Sequence, residues 1–379
     1  MRKKIFIIEP VGGHGGMNYY NTGLGMGLAS ANADTTLYTC PETLDESTNN
    51  FTIKKNFKSV YGKKHKLLRA TNYIIALTKS LFHIRASSGK FCHLHYFQYS
   101  LLELASCLII KSFGINIIAT VHDVEAFSSG SLNFYQKAIF KLTSEFIVHN
   151  KFSEKELRTI LHRSKISPSI NIIPHGNYLP FIQKKEKLES LTRLGIPENK
   201  KIILFFGQIK KVKGLDLLLH ALPEVLKEEP NTLLLIAGKV WKDTFSEYES
   251  TIESLGINNS VMTHIKYIPD HLVDLYYSAA DIVSLPYQRI YQSGVLLMAM
   301  SYGCITVSSR LEAMSEVIID GENGYLFEPG DYNSLARTIV TSLRAPPEPI
   351  ARAALATMLD HHDWLNIAKK HMAIYERYS

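Results

Sequence analysis

"FFGQIKKVKGLD", residues 205–216, opens the second half of the chain. An apolar strand runs into Gly207, lysines follow at Lys210, Lys211 and Lys213, and Gly214 leads into an apolar helical pattern. A strand-to-helix turn exposes unpaired backbone N–H groups and the positive end of a helix dipole, and both attract anions. Lysines gathered at such a turn point to a ligand with more than one negative charge. Strand, glycine turn and helix together are also the unit from which parallel sheets are assembled, so this stretch sets the expectation for the fold.

The same alternation extends in both directions. Strand-like runs occur at "KIFIIEP", "TTLYTC", "FCHLHYF", "NIIATVHD", "FIVHN" and "NIIP" in the first half. The second half has "KIILFFG", "TLLLIAG", "VMTHIKYI", "DIVSLPY", "CITVSS" and "GYLF", with helical patterns between most of them. This order implies parallel sheets covered by helices on both faces. The polar stretch "QKKEKLESLTRLGIPENK" separates the halves. The expected architecture is therefore α/β with two doubly wound domains, 1–180 and 201–355, joined by a linker at 181–200. A C-terminal helix in 356–379 is expected to pack back on the first domain. Ligands of such sheets bind outside the carboxyl ends of strands, here in a cleft between the domains, so functional residues are sought just after strands.

The chain has 379 residues, 46% of them hydrophobic, enough for two cores of ordinary size. The start, "MRKKIFIIEP", has too short an apolar run for a secretory signal. No stretch reaches the roughly 18 uninterrupted apolar residues of a membrane-spanning helix. The four cysteines show no zinc-like or redox spacing, which fits a reduced, cytoplasmic chain. The net charge of +7 is uneven: residues 1–180 carry 21 Lys+Arg against 11 Asp+Glu, leaving 21 against 24 for the rest. Residues 51–90 hold ten basic residues and no acidic one. Within them "KLLRATNYIIALTKSLFHIR" repeats Leu67/Leu68, Ile74/Ile75 and Leu81/Phe82 at seven-residue spacing, one side of a helix. That pattern fits a packed helix with a solvated basic rim. It also fits a helix that meets an anionic membrane. No nucleic-acid-binding motif accompanies it.

Several stretches follow strands. "VGGHGGMNYY" offers Gly12, Gly13, Gly15 and Gly16 for tight turns and close ligand approach. The next strand, "TTLYTC", lacks the acidic residue of a dinucleotide site, which counts against NAD. "TVHDVEAF" places His122, Asp123 and Glu125 at a strand end, where they are candidates for general acid–base work. His122 could equally be a hydrogen-bonded core histidine. "LIAGK" ends in Gly238 and Lys239, and "YQSG" sets Ser293 and Gly294 at a helix start, a geometry that caps a helix or binds phosphate. His93 and His95 share one face of a strand, but without an acidic or cysteine partner they read as core or cleft-lining residues, not metal ligands.

Together these motifs resemble those of the family-4 glycosyltransferases, which have the two-Rossmann GT-B fold. "GGHGG" matches the family's first glycine-rich loop. "GQIKKVKG" matches G-R-x-x-x-x-K-G, with Lys213 and Gly214 in place. "YIPDHLVDLYYSAADIVSLPY" and "EVIIDGENGYLFEPGD", the latter with Glu316, resemble two further family segments. The resemblance implies transfer of a sugar from a nucleotide-diphosphate donor, UDP- or GDP-linked, without a metal or other cofactor. It implies donor contacts at Gly15, Gly16, Gln208, Lys213, Gly238, Lys239, Ile268, Ser293, Gly294 and Glu316, with base and ribose near Gly238–Lys239 and the Tyr267–Pro269 backbone. The first domain would take the acceptor, a lipid-linked or glycan molecule of surface polysaccharide synthesis, at an anionic membrane surface. Two departures stand out. The family's diphosphate-binding Arg is Gln208, and its paired glutamates fall on Ile290 and Met298. These departures leave open a catalytically silent sugar-nucleotide or glycan-binding partner, and a sugar-nucleotide epimerase or phosphorylase of similar shape.

Overall fold

The computed structural model of the chain describes residues 2–13, 16–43, 51–62, 65–122, 133–164, 166, 168–242 and 244–378. It divides into two compact units, Met1–Gly176 with His361–Ser379, and Asn177–Asp360.

In chain order the first unit contains β1 (Lys3–Glu9), α1 (Gly16–Ser30), β2 (Ala33–Thr39), β3 (Thr52–Lys54), α2 (Lys66–Ala86), β4 (Phe91–Tyr96), α3 (Leu101–Ser112), β5 (Asn116–Val121), α4 (Phe134–Leu142), β6 (Glu145–Val148), α5 (Lys151–Arg163) and β7 (Ser169–Ile172). The strands form one sheet in the order β3-β2-β1-β4-β5-β6-β7, and every pairing is parallel. Ile5, Ile7, Ile117, Ile118, Phe146 and Ile147 are fully buried, as expected of strands covered on both faces. The chain returns to this unit at its end through α14 (Trp364–Tyr375). Trp364 lies against α1 and the loop after β7: a Cβ at Gly23, Gly27 or Gly176 would collide with it. Gly23 and Gly176 thus make the notch that the large indole fills, and Gly27 lets α1 lie against the Trp364 backbone carbonyl.

The second unit contains α6 (Lys187–Leu194), β8 (Lys201–Phe206), α7 (Leu215–Glu228), β9 (Thr232–Ala237), α8 (Ser246–Ser254), β10 (Val261–His264), α9 (Asp270–Ala279), β11 (Ile282–Leu285), α10 (Gly294–Ser301), β12 (Ile305–Ser309), α11 (Glu312–Ser315), β13 (Tyr325–Phe327), α12 (Tyr332–Arg344) and α13 (Pro347–His361). Its sheet runs β10-β9-β8-β11-β12-β13, again all parallel. The connections reverse direction between β8 and β11, so that pair flanks the topological switch point, where doubly wound sheets bind ligands.

Four details differ from the reading of the sequence. The stretch taken as a linker, 181–200, carries α6 and belongs to the second unit, because Ser190 and Leu191 give its otherwise charged helix a buried face. The chain leaves the first unit after Gly176 and not at 180, and returns at His361 and not at 356. Within the basic segment, Thr52–Lys54 form an edge strand that its charge obscured. In α2 the seven-residue stripe divides. Leu81 packs inward with Leu77 and Ile84, while Leu67, Leu68, Ile75 and Phe82 remain exposed. All four cysteines are buried and free.

Candidate functional site

The loops at the carboxyl ends of β8, β9 and β11 are fastened to one another by backbone. Gly207 donates to Ala237 O at 2.9 Å, Ile209 to Lys239 O at 3.0 Å, and Trp241 to Ile209 O at 3.0 Å, so parallel pairing continues past the strand ends. Gly238 has φ 152°, and any Cβ on it would meet the Gly207 carbonyl. Gly214, at φ 68°, ends the lysine turn and starts α7, and its Cα lies against the Pro286 carbonyl. Gln288 N–H donates to Val212 O at 2.9 Å. The lysine turn after β8 and the "PYQRIYQSG" loop after β11 are thereby held edge to edge across the switch point.

Lys213 occupies the seam. Its ammonium stands 3.9 Å above the centroid of the Tyr287 ring, within cation–π range. Tyr287 is buried, and its hydroxyl lies 3.4 Å from Ser293 Oγ. Ser293 caps α10, accepting the Leu296 N–H at 3.2 Å, and Gly294 is the first residue of that helix. The Tyr178 hydroxyl lies where a side chain at 294 would go. A fixed ammonium, a hydroxyl and a helix N-terminus therefore meet on adjacent loops, the equipment for holding an oxyanion. Lys210 is drawn aside, 5.4 Å over the exposed Trp241 ring, and Lys211 pairs with Glu247 at 3.5 Å.

The first sheet ends differently. His95 in β4, and His122, His149 and His175 just beyond β5, β6 and β7, place one imidazole at each of four adjacent strand ends. Tyr20 of α1 packs edge-on or tilted against all four, with centroid separations of 4.8 to 5.6 Å. His149 Nδ1 lies 3.0 Å from the Ile173 carbonyl, to which it can only donate. Burial pushes His149 down to about 4, so the ring is neutral and its Nε2 must accept. It accepts from His122 Nδ1 at 3.2 Å, and His122 Nε2 in turn accepts from His95 Nδ1 at 2.8 Å. One backbone carbonyl thus fixes three tautomers and leaves His95 Nε2 a bare lone pair, buried and without a partner. Burial and neighbouring imidazoles hold His93 and His122 well below the ordinary histidine value, and His95 and His175 down to about 3. His93 bonds Tyr375 Oη at 2.7 Å and Thr120 Oγ1 at 2.8 Å. Among the described residues no group of three His, Cys, Asp or Glu is arranged to hold a metal ion.

Residues 186–355 match the family model described as glycosyl transferases group 1. Over these residues the chain is similar to the group 1 glycosyltransferases. Among curated proteins, phosphatidyl-myo-inositol mannosyltransferase from Mycobacterium leprae is 30% identical over 213 residues, 54% of this chain and 52% of that protein. The chain spans about half the length of the curated relatives it matches. Sucrose-phosphate synthase from Thermosynechococcus elongatus has a TM-score of 0.74 at 20% identity over 99% of both chains. HepE from Anabaena, solved in complex with UDP and glucose, also gives 0.74, at 16% identity over 99% of this chain and 100% of its own. These likenesses establish the GT-B fold.

Within the second unit, the residues expected to bind donor all follow strands of one sheet. Gln208 and Lys213 lie after β8, Gly238 and Lys239 after β9, Ile268 after β10, Ser293 and Gly294 after β11, and Glu316 after β12. The structure brings Gln208, Lys213, Gly238, Lys239, Ser293 and Gly294 onto the interlocked loops. Ile268 is 6% exposed, its side chain turned into the core, and Glu316 is an exposed C-cap of the short α11. In the first unit Gly16 begins α1, while Gly15, Asp123 and Glu125 lie outside the described residues. His122 directly follows β5, at the strand end as expected, but both its ring nitrogens are engaged by other imidazoles. It is the hydrogen-bonded histidine of the second reading and not an unengaged base. Tyr287 and the His149–His175 part of the cluster were missed. An aromatic following the "SLP" strand end was the available signal for Tyr287, whereas nothing local marks His149 or His175.

Proposed function

We propose that the protein is a glycosyltransferase that moves a hexosyl group from a UDP- or GDP-sugar to a glycan or lipid-linked acceptor. The observation that carries this reading is Lys213, held on the Tyr287 ring beside the Ser293-capped start of α10. As the bond from the anomeric carbon to the diphosphate breaks, negative charge grows on the leaving oxygen, and a preorganised cation and helix N-terminus stabilise it. No metal is needed in this scheme, because lysine and helix end supply the positive charge. The structural likeness to HepE, solved with UDP and glucose, supports a nucleotide-sugar donor. We take the transfer to be retaining. The first unit would receive the acceptor, and Asp123 and Glu125 are the candidate bases of the inverting alternative.

We further propose that the protein works in the cytoplasm, in surface polysaccharide synthesis, peripheral to an anionic membrane. Among the described residues no helix is long and apolar enough to cross a bilayer. The support for contact is α2, where exposed Leu68, Ile75 and Phe82 stand among Lys66, Arg69, Lys79 and Arg85. Each such cation near an anionic surface is worth about 1 kcal/mol. Flotation with phosphatidylglycerol-containing liposomes should carry the protein upward at low salt and release it when the α2 cations are changed to Gln. Flotation unchanged by those substitutions would remove the basis for this surface.

The absence of acidic residues at Ile290 and Met298 favours a second reading, a silent sugar-nucleotide-binding relative. A donor screen separates the readings. A nucleotide sugar at one hundred times its dissociation constant should raise the stability of the second unit by about 2.7 kcal/mol. Nucleoside diphosphate released only when an acceptor is present identifies a transferase, and donor binding without turnover across acceptors identifies the silent form. No response to any UDP- or GDP-sugar would overturn both.

A further inference from the structure

The carboxyl edge of the first sheet holds polar atoms that the fold leaves unpaired. Asn21, on α1, is 0% exposed, and neither its amide nitrogen nor its carbonyl oxygen has a hydrogen-bond partner. Buried amides are almost always paired, so one with both ends open in a helix interior calls for a partner from outside the chain. Glu9 and Thr39 end β1 and β2 side by side in register. These side chains converge on Gly12, where a Cβ would stand 2.7 Å from Thr39 Oγ1, 3.0 Å from Asn21 Nδ2 and 3.2 Å from Glu9 Cγ.

The neighbouring strand extends this edge. β1 pairs with β4 up to Ile8↔Leu94, which brings Glu9 abreast of His95. The bare His95 Nε2 is a further unpaired buried atom there. The connections of this sheet reverse between β1 and β4, so the cluster lies at its switch point, where open α/β sheets take their ligands. Thr39 is already bonded to Thr43 at 2.7 Å, and Glu9 Oε1 accepts the Val11 N–H at 3.1 Å. Burial raises the Glu9 carboxyl to about 8, so at neutral pH it is mostly uncharged and can donate.

We propose that this edge, beneath the Val11–Gly13 turn, is a sugar-hydroxyl site in which Asn21 and His95, with Glu9 beside them, hold adjacent hydroxyls of a neutral acceptor. The chemistry selects that class. Asn21 both donates and accepts, His95 Nε2 only accepts, and a protonated Glu9 donates. No lysine or arginine is among these groups to favour an anion. Adjacent hydroxyls, each able to donate and accept, complement the set, and the diol edge of a sugar ring supplies them. The inference rests on the reading that the first unit receives a glycan acceptor.

The test uses the full chain and three variants, Asn21→Leu, Asn21→Ala and Glu9→Gln. The probes are the methyl α- and β-glycosides of glucose, galactose and mannose, read by saturation-transfer NMR, and glycerol soaked into crystals. In wild type a probe hydroxyl should appear within hydrogen-bond distance of the Asn21 amide and His95 Nε2. Asn21→Leu should abolish probe binding while raising the melting temperature, because it removes an unpaired amide. Should the leucine not be accommodated, Asn21→Ala carries the same reading. Glu9→Gln, which mimics the protonated carboxyl, should keep probe binding, since its amide donates and accepts where the carboxyl did. Retained probe binding in Asn21→Leu, or a wild-type edge that holds only water in every soak, would overturn the proposal. UDP binding on the same samples separates the failures: UDP bound without probes defeats this inference alone, and neither bound defeats the proposed function too.

Discussion

Lys213→Ala is expected to lower the rate of sugar transfer by about two to three orders of magnitude, the usual loss when one preorganised stabiliser of a developing oxyanion is removed. The fold should scarcely register it. Lys213 is partly exposed in a short turn, and the contact it gives up, a cation over an aromatic face, is worth about 0.5–2 kcal/mol. Lys213→Arg should recover only part of the rate, because a planar fork does not reproduce a compact ammonium 3.9 Å from the Tyr287 ring. Tyr287→Leu should fall between wild type and Lys213→Ala, since the charge remains but its platform is gone. Steady-state release of nucleoside diphosphate with saturating acceptor measures all three. Near-wild-type turnover in Lys213→Ala would show that the leaving group is stabilised elsewhere.

Mild acid is expected to unfold the first unit while the second stays intact. His93, His149, His175 and His371 are 0%, 6%, 6% and 0% exposed, and burial holds each below the ordinary value of 6.5. A base whose folded value is depressed contributes stability that is present above 6.5 and is lost as pH falls below it, because only the unfolded chain takes up the proton. One pH unit below 6.5, each ring costs about 1.4 kcal/mol, so four cost about 6 kcal/mol, comparable to a domain's whole stability. Glu9 works in the opposite sense. Raised to about 8, it regains stability on acidification from 8 toward 4.5, but as one group against four it slows the loss without reversing it. The histidine with a lowered value in the second unit, His264, is only partly buried. Hydrogen exchange at pH 5.5 should therefore show loss of protection in β4–β7 with β8–β12 still protected. Equal protection of both units at that pH would mean that the imidazoles are not held neutral by the fold.

The two predictions draw on parts of the molecule that differed in how readily the sequence revealed them. Apart from the edge strand β3, the strands of both sheets were legible because each is a short, largely apolar run bounded by turn residues. Lys213 was legible because a strand, a glycine turn and a helix lie within one local stretch. Tyr287 was not, since its role depends on Gly214 lying against Pro286, a contact between distant segments. The histidine chain was illegible for the same reason. His95, His122, His149 and His175 lie about one strand–helix unit apart, and only the parallel register brings their rings together. The helix at 187–194 was hidden by its charge, its buried side being as narrow as Ser190 and Leu191. The stripe on α2 was read as one face but is two, because seven-residue spacing does not distinguish Leu81 from Phe82.

The indole of Trp364, seated in its glycine notch, has a bearing on biogenesis. A ribosome emits the chain from its first residue, and domains ordinarily mature in that order. Here the opening 176 residues must wait for a plug encoded near the end, while Asn177–Asp360 emerges as one uninterrupted piece. The later half should therefore reach its native state first, and a nascent polypeptide halted before Trp364 should display a protease-sensitive front behind a resistant rear.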